Sequence, residues 1–201
     1  MIDIINRASE LVILAVGMTL VVSSSAGTDI SVGAIMAVSA AVCCNILTGG
    51  ERAVTAYANP LILGFIAALV VGAAIGCFNG FLVSKLNIQP MVATLIMFTA
   101  GRGIAQLITD GQITYVRVDS YRVLGASFPG FPVPTPFIVA VLVVALTSLL
   151  LKKTALGMYI QSVGINKRAS QLVGIKSVLI IFLTYAYCGL CSGLAAVSYT
   201  H

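Results

Sequence analysis

Polar residues are scarce in this chain, so each group that interrupts an apolar run is a candidate for chemistry. The longest interruption lies between Leu151 and Val178, KKTALGMYIQSVGINKRASQLVGIKS, with five Lys/Arg and no Asp or Glu. Asn166 has the chemistry of a helix N-cap and Gly174 that of a helix stop, which predicts about two helical turns over Lys167–Val173. Seven residues are too few for a stable helix in water alone, so this one needs a surface: the membrane's cytoplasmic face or a partner's groove. Lys167 and Arg168 fall at the positive end of its dipole, where cations are unfavourable. That conflict points to an external acidic or lipid contact, although a plain topological anchor would carry the same charges.

Three other groups stand out. Asp29 lies between two apolar runs in Ala26-Gly27-Thr28-Asp29-Ile30-Ser31-Val32-Gly33. A carboxylate in hydrocarbon is costly and usually functional; the local reading, placed first, is a cap on the free N–H groups of a helix starting near Ile30. Thr99, Arg102, Gln106 and Thr109 follow at spacings of 3, 4 and 3, on one face of an apolar helix. Such a stripe faces the bundle interior or a water-filled path, or else forms an interhelical hydrogen-bond seam with Arg102 near the interface. Gly64, Ala68, Gly72, Gly76 and Gly80 form an unbroken i, i+4 ladder. In lipid, helices associate by close packing, so the ladder reads first as a packing seam, and a sliding seam would use the same surface.

Enzyme signatures are absent. There is no Gly-Lys dipeptide, hence no P-loop, and the single histidine is His201. The five cysteines all lie in apolar runs and read as packing residues; Cys188 and Cys191 have redox spacing but no basic neighbour to stabilise a thiolate. No metal site and no cofactor is expected.

The elements that must position these groups follow from composition. The chain has 201 residues, 59% hydrophobic and only 8% charged, with mean hydropathy +1.08. A soluble fold, with about 25% charged residues, could not hide so much apolar surface. The expected fold is all-α, a polytopic transmembrane helix bundle forming one domain over 1–201. Six stretches approach the roughly 20 residues a span needs: about 10–25, 30–48, 60–84, 91–109, 134–151 and 178–199. The first two form either one broken helix or a tight hairpin. Residues 110–133, with Pro129 and Pro132, read as an extended surface loop. The net charge of +5 sits mostly in the 152–177 loop, so it reads as topology rather than nucleic-acid binding. Alternating sides gathers the 25–30, 85–90 and 152–177 connections, with six Lys/Arg against four opposite, and the positive-inside rule makes 152–177 cytoplasmic.

Four segments carry a resemblance to a known family: Leu14–Val22; Asp29–Ala34; Ile88–Leu95 continuing through Ala100–Gly103 to Asp110–Gln112; and Lys153–Met158 through Val163–Asn166 to Ala169 and Gly174-Ile175. The chain resembles the membrane permease subunits of bacterial sugar ABC importers, the ribose/galactofuranose class, and most of all the galactofuranose type. The resemblance covers nearly the whole chain. It implies a cytoplasmic ABC ATPase subunit, a periplasmic sugar-binding protein and a second permease subunit as partners, in the bacterial inner membrane. It also implies that the loop matching 154–176 docks on the ATPase, with Gly157, Gly164, Asn166, Lys167, Arg168, Ala169 and Gly174 as its coupling residues. ATP hydrolysis is expected in a separate subunit. The family usually reads Gly-Gly-Ile-Asp where this chain has Ala26-Gly27-Thr28-Asp29, so a different turn is expected there. Family members are longer at both ends, so an internal fragment is expected. The rival readings are a secondary transporter or channel, with Asp29 and Arg102 coupled to an ion, and a non-transporting fragment that assembles with a full-length permease.

Overall fold

The computed structural model describes residues 2–49, 53–54, 59–112, 115–116 and 135–199. Eight helices lie among them: α1 Ile2–Ser25, α2 Val32–Thr48, α3 Leu61–Ser84, α4 Pro90–Ile108, α5 Thr135–Lys153, α6 Leu156–Ile165, α7 Lys167–Leu172 and α8 Ser177–Tyr199. Helices α1, α3, α4, α5 and α8 are long and apolar enough to cross a membrane. Helix α2 is also apolar but has 17 residues, about 26 Å of helix. The fold is a polytopic all-α bundle.

Helix α8 is the most buried span, and α3, α1 and α2 all pack on it. The α3 contact is the largest and the closest. A Cβ at Gly72 would lie 2.5 Å from the Gly189 carbonyl oxygen, and one at Gly76 2.5 Å from the Tyr185 oxygen. From the other side, a Cβ at Gly193 would lie 2.7 Å from the Ala68 oxygen. The two backbones therefore touch, antiparallel, along the ladder. Gly64 packs instead on Leu47 and Cys43 of α2. The seam expected from the i, i+4 spacing is present, and its partner is the Gly189/Gly193 face of α8.

Helices α1 and α2 share almost no contacts with each other. They are not a tight hairpin: each packs on α8, and the chain breaks between them at residues 26–31. Helix α1 starts at Ile2, well before the expected position near residue 10, because nothing in Asp3–Glu10 breaks a helix. The 110–133 connection lies almost wholly outside the described residues. At that end of the bundle β1 (Ala53–Val54) pairs in parallel with β2 (Tyr115–Val116). At the other end, the 25–30, 85–90 and 152–177 connections come together, as alternation of the spans requires. Gly27 abuts Pro90, and the Lys167 ammonium donates to Asn87 Oδ1 at 2.7 Å.

Leucine at Gly72 or Gly76 should cost about 3 kcal/mol, the upper end for overpacking, because the obstructing atoms are backbone and cannot rotate away. Alanine at Gly33, which faces open space, should be neutral or stabilising by up to about 1 kcal/mol. Thermal unfolding of the three variants in detergent checks this; equal midpoints would show that the α3–α8 seam does not hold the bundle together.

Candidate functional site

The predicted polar residues fall in three places: the α1–α2 junction, the α6–α7 segment beside it and the outer face of α4. At the junction Ala26 takes a left-handed conformation (φ 52°) and its N–H donates to the Val22 oxygen at 3.2 Å, ending α1. A tight turn therefore forms here with alanine where glycine would be unstrained. Asp29 is buried, and its Oδ1 accepts from the Ser31 N–H (2.9 Å) and the Ser31 hydroxyl (2.6 Å). This corrects the expected cap. The N-cap position of α2 is Ser31, which makes no side-chain cap bond, and Asp29 ties the turn two residues ahead of it. The reason is that α2 starts at Val32 rather than near Ile30.

The turn is held from three other helices. Ser31 Oγ accepts from Asn79 Nδ2 of α3 at 2.8 Å, and Thr94 Oγ1 of α4 accepts the Ile30 N–H at 3.2 Å. The Cys188 thiol of α8 neighbours the Asp29 carboxylate. Ser24 and Thr184 share a hydrogen bond at 2.7 Å, fastening the end of α1 to α8. Asn79 is the junction residue that sequence reading missed. Its signal was available: it is the one amide in a 24-residue apolar helix, next to a ladder glycine.

The junction is recessed. Asn79 lies five residues before the end of α3, and Tyr185 and Cys188 lie eight and eleven residues after the start of α8. Helices α6 and α7 close over that recess. Gly164 of α6 sits directly on the Ser23 carbonyl of α1, leaving no room for a Cβ. Gly157 likewise packs on the Leu151 carbonyl and lets the chain fold back after α5. Two of the three glycines expected to couple to a partner, Gly157 and Gly164, are therefore occupied within the chain, whereas Gly174 faces open space.

Helix α7 has six residues, one fewer than expected. Asn166 Oδ1 accepts from the Ala169 N–H at 3.0 Å, and Gly174 closes the turn at φ 90°. Lys167 is not left at the positive end of the dipole for an outside acid. Its side chain leaves the helix to reach Asn87, itself left-handed at φ 53°. Arg168 and Ala169 are exposed.

The stripe on α4 does not face the interior of this chain. Thr99, Arg102 and Gln106 are exposed and Thr109 half-buried, while Ala93, Thr94, Met97 and Gly101 form the buried face. Small residues fix that orientation: a Cβ on Gly101 would lie 3.1 Å from Ala34 Cβ of α2. The Arg102 guanidinium stacks 4.3 Å from the Phe98 ring centre. Arg102 lies eight residues beyond Thr94, about two turns along α4 from the junction, so it and Asp29 are not brought together.

The whole chain, residues 1–201, matches the model of the family described as branched-chain amino acid transport system / permease component. The chain belongs to this family. Among curated permeases, the galactofuranose transporter permease protein YtfT of Escherichia coli (strain K12) is 45% identical over 98% of this chain and 54% of its own length. The fructose import permease protein FruF of Bifidobacterium longum (strain NCC 2705) is 42% identical over 98% and 54%. The ribose import permease protein RbsC of Escherichia coli (strain K12) is 35% identical over 97% and 59%. The chain thus spans about half the length of the curated permeases it matches. No solved structure matches it. Among the described residues, Arg168 and Ala169 of α7 and the α4 stripe are turned away from the bundle.

Replacing Asn166 with Ala should remove the α7 cap at a cost of about 1 kcal/mol, and Asp should restore it. Hydrogen exchange at Lys167–Leu172 should speed up in the first variant and not in the second. Unchanged exchange in both would mean that the packing of α7, not its cap, holds it helical.

Proposed function

We propose that the chain is a membrane-spanning subunit of an ATP-driven ABC importer that takes up a monosaccharide, with α7 as its coupling helix to a cytoplasmic ATPase subunit. The observation that carries this is the exposed apolar crest beside α7. Ile165, Leu172 and Val173 are 86%, 90% and 82% exposed at the end of the bundle, flanked by Arg168 and Lys176. Apolar side chains so far out of the bundle, amid basic residues, suit a partner's groove with an acidic rim better than a purely electrostatic lipid anchor. The positive-inside reading puts that end in the cytoplasm. A monosaccharide is proposed because the matched permeases are named for galactofuranose, fructose and ribose.

The α4 stripe is assigned to the meeting of two permease subunits. An arginine facing hydrocarbon near a helix centre costs about 2.5–3.5 kcal/mol on insertion scales, which favours burial against a second subunit or a water path between the two. A periplasmic sugar-binding protein would then dock at the opposite end of the bundle.

Aspartate at Leu172 or Val173, with every Lys/Arg retained, should abolish co-purification of the ATPase subunit and leave membrane insertion intact. Undiminished co-purification would remove α7 from the coupling role. The Gly164→Leu variant is no test of this contact, because it disrupts the α6–α1 packing instead. Cysteines at Thr99 and Gln106 should react with water-soluble thiol reagents or cross-link two subunits, whereas cysteines at Ile96 and Leu107 on the neighbouring apolar face should do neither. The reverse order would place the stripe against lipid.

A further inference from the structure

The end of the bundle read as cytoplasmic carries positive charge with little acid to meet it. Lys85, at the end of α3, and Lys176, just before α8, are both exposed. Among the described acids, Asp3 and Glu10 lie in the first half of α1 and Asp110 beyond the end of α4, all toward the opposite end. Asp29 alone belongs to this end, and it is buried with its Oδ1 taken up by Ser31. The two lysines line one cleft of about 560 Å³ between α3 and α8. Phe81 of α3 and Val178, Leu179 and Phe182 of α8 line the same cleft, which has no acidic residue in its wall. The Lys85 ammonium lies 5.6 Å from the centre of the Phe81 ring, so its charge is held over the cleft wall rather than extended away from it. Charge and apolar wall are ordered by depth. Phe81 lies four residues, about 6 Å, into α3 from Lys85, and Phe182 six residues, about 9 Å, into α8 from Lys176. The start of α8 adds the positive end of a 23-residue helix dipole at the level of Lys176.

We propose that this cleft binds one anionic phospholipid of the cytoplasmic leaflet, its phosphate against Lys85 and Lys176 and its acyl chains along Phe81, Leu179 and Phe182. Charge complementarity selects the headgroup. Two ammonium groups with no carboxylate in the wall favour a net-negative headgroup over a zwitterionic one, which brings a further cation into the site. Basic clefts between spanning helices on the cytoplasmic side recognise anionic headgroups in this way. The groove between α1 and α5 makes the contrast. It is lined by Ile5, Val12, Phe137 and Val144, has nearly the same volume, about 530 Å³, and carries no charged residue, so it accepts acyl chains and selects no headgroup. Depth selects a lipid over a soluble anion or a protein. Phe81 and Phe182 belong to helices that span the membrane, below the level a cytoplasmic protein reaches, and a free phosphate leaves them unused. Lys176 also flanks the α7 crest, so a lipid held here would sit beside the surface assigned to the ATPase. The lipid site stands whether or not α7 meets an ATPase.

The test titrates the full chain, purified in detergent, with dioleoyl phosphatidylglycerol or dioleoyl phosphatidylcholine and counts bound lipid by native mass spectrometry. Phosphatidylglycerol should saturate one high-affinity position per chain, and phosphatidylcholine should bind about tenfold more weakly or worse. Lys85→Gln with Lys176→Gln should weaken phosphatidylglycerol binding about thirtyfold, the equivalent of about 1 kcal/mol for each lysine. Lys152→Gln with Lys153→Gln removes the same charge from the same end but outside the cleft, and should change binding by no more than about twofold. Equal weakening in the two double variants would reduce the preference to the net charge of that end and overturn the site. Equal binding of the two lipids by the wild-type chain would also overturn it and leave the lysines to a protein partner. Displacement of the lipid by glycerol 3-phosphate would show a site for a free anion instead. Should the Lys85/Lys176 double variant not fold, the wild-type lipid preference and the glycerol 3-phosphate competition decide by themselves.

Discussion

The backbone contact between α3 and α8 sets the geometry of everything else. Lipid supplies no hydrophobic force to bring helices together, so contact must come from close approach and dispersion. Gly72 and Gly76 meet Gly189 and Gly193 without a side chain between them. That approach fixes the rotation of α8 about its axis. With the glycine face turned to α3, the adjoining face carrying Thr184, Tyr185 and Cys188 turns toward the ends of α1 and α2. Asn79 sits one residue before the last ladder glycine, so the same contact that seats α8 also delivers Asn79 to Ser31. A packing motif and a polar site are thus one piece of geometry.

The break between α1 and α2 follows from that placement. Helix α8 packs on both, and they scarcely touch each other. Between Gly27 and Ser31 the chain leaves helical geometry and turns inward, with Asp29 and Ser31 buried, where unsatisfied backbone groups are expensive. Three of the donors are answered locally or across the bundle: Ala26 N–H goes to Val22, Ile30 N–H to Thr94 and Ser31 N–H to Asp29. Asp29 is a main-chain prop first, through the Ser31 N–H that its Oδ1 accepts.

How legible a feature was depended on how local its cause is. The ladder, the Asn166 cap, the Gly174 stop and the spans other than the start of the first each arise from residues within one turn or one helix face, and the structure shows them close to where spacing put them. Asp29 is not the N-cap of α2 because the cap depends on where the helix begins, and α2 begins at Val32, with Ser31 at the cap position bonded to Asn79, 48 residues away. For Lys167 the sequence left open an outside acidic or lipid contact and a plain topological anchor, and its contact within the chain, Asn87, is 80 residues distant. Gly164 looked like a docking position since nothing in its neighbourhood announces the Ser23 carbonyl. The α4 stripe was correctly gathered on one face, but which way that face points is decided by Gly101 against Ala34 of α2, a contact invisible to periodicity.

The same contacts decide how movement at α7 would reach the membrane core. Helix α7 is joined to the bundle by Lys167–Asn87 and through α6 by Gly164 against Ser23. The first link is a long side chain and can stretch. The second is backbone against backbone and cannot. A partner that displaces α7 therefore loosens the α3–α4 connection but carries the end of α1 along rigidly. Because Ser24 is bound to Thr184 and the junction is bound to Asn79, that displacement arrives at α8 and α3 together.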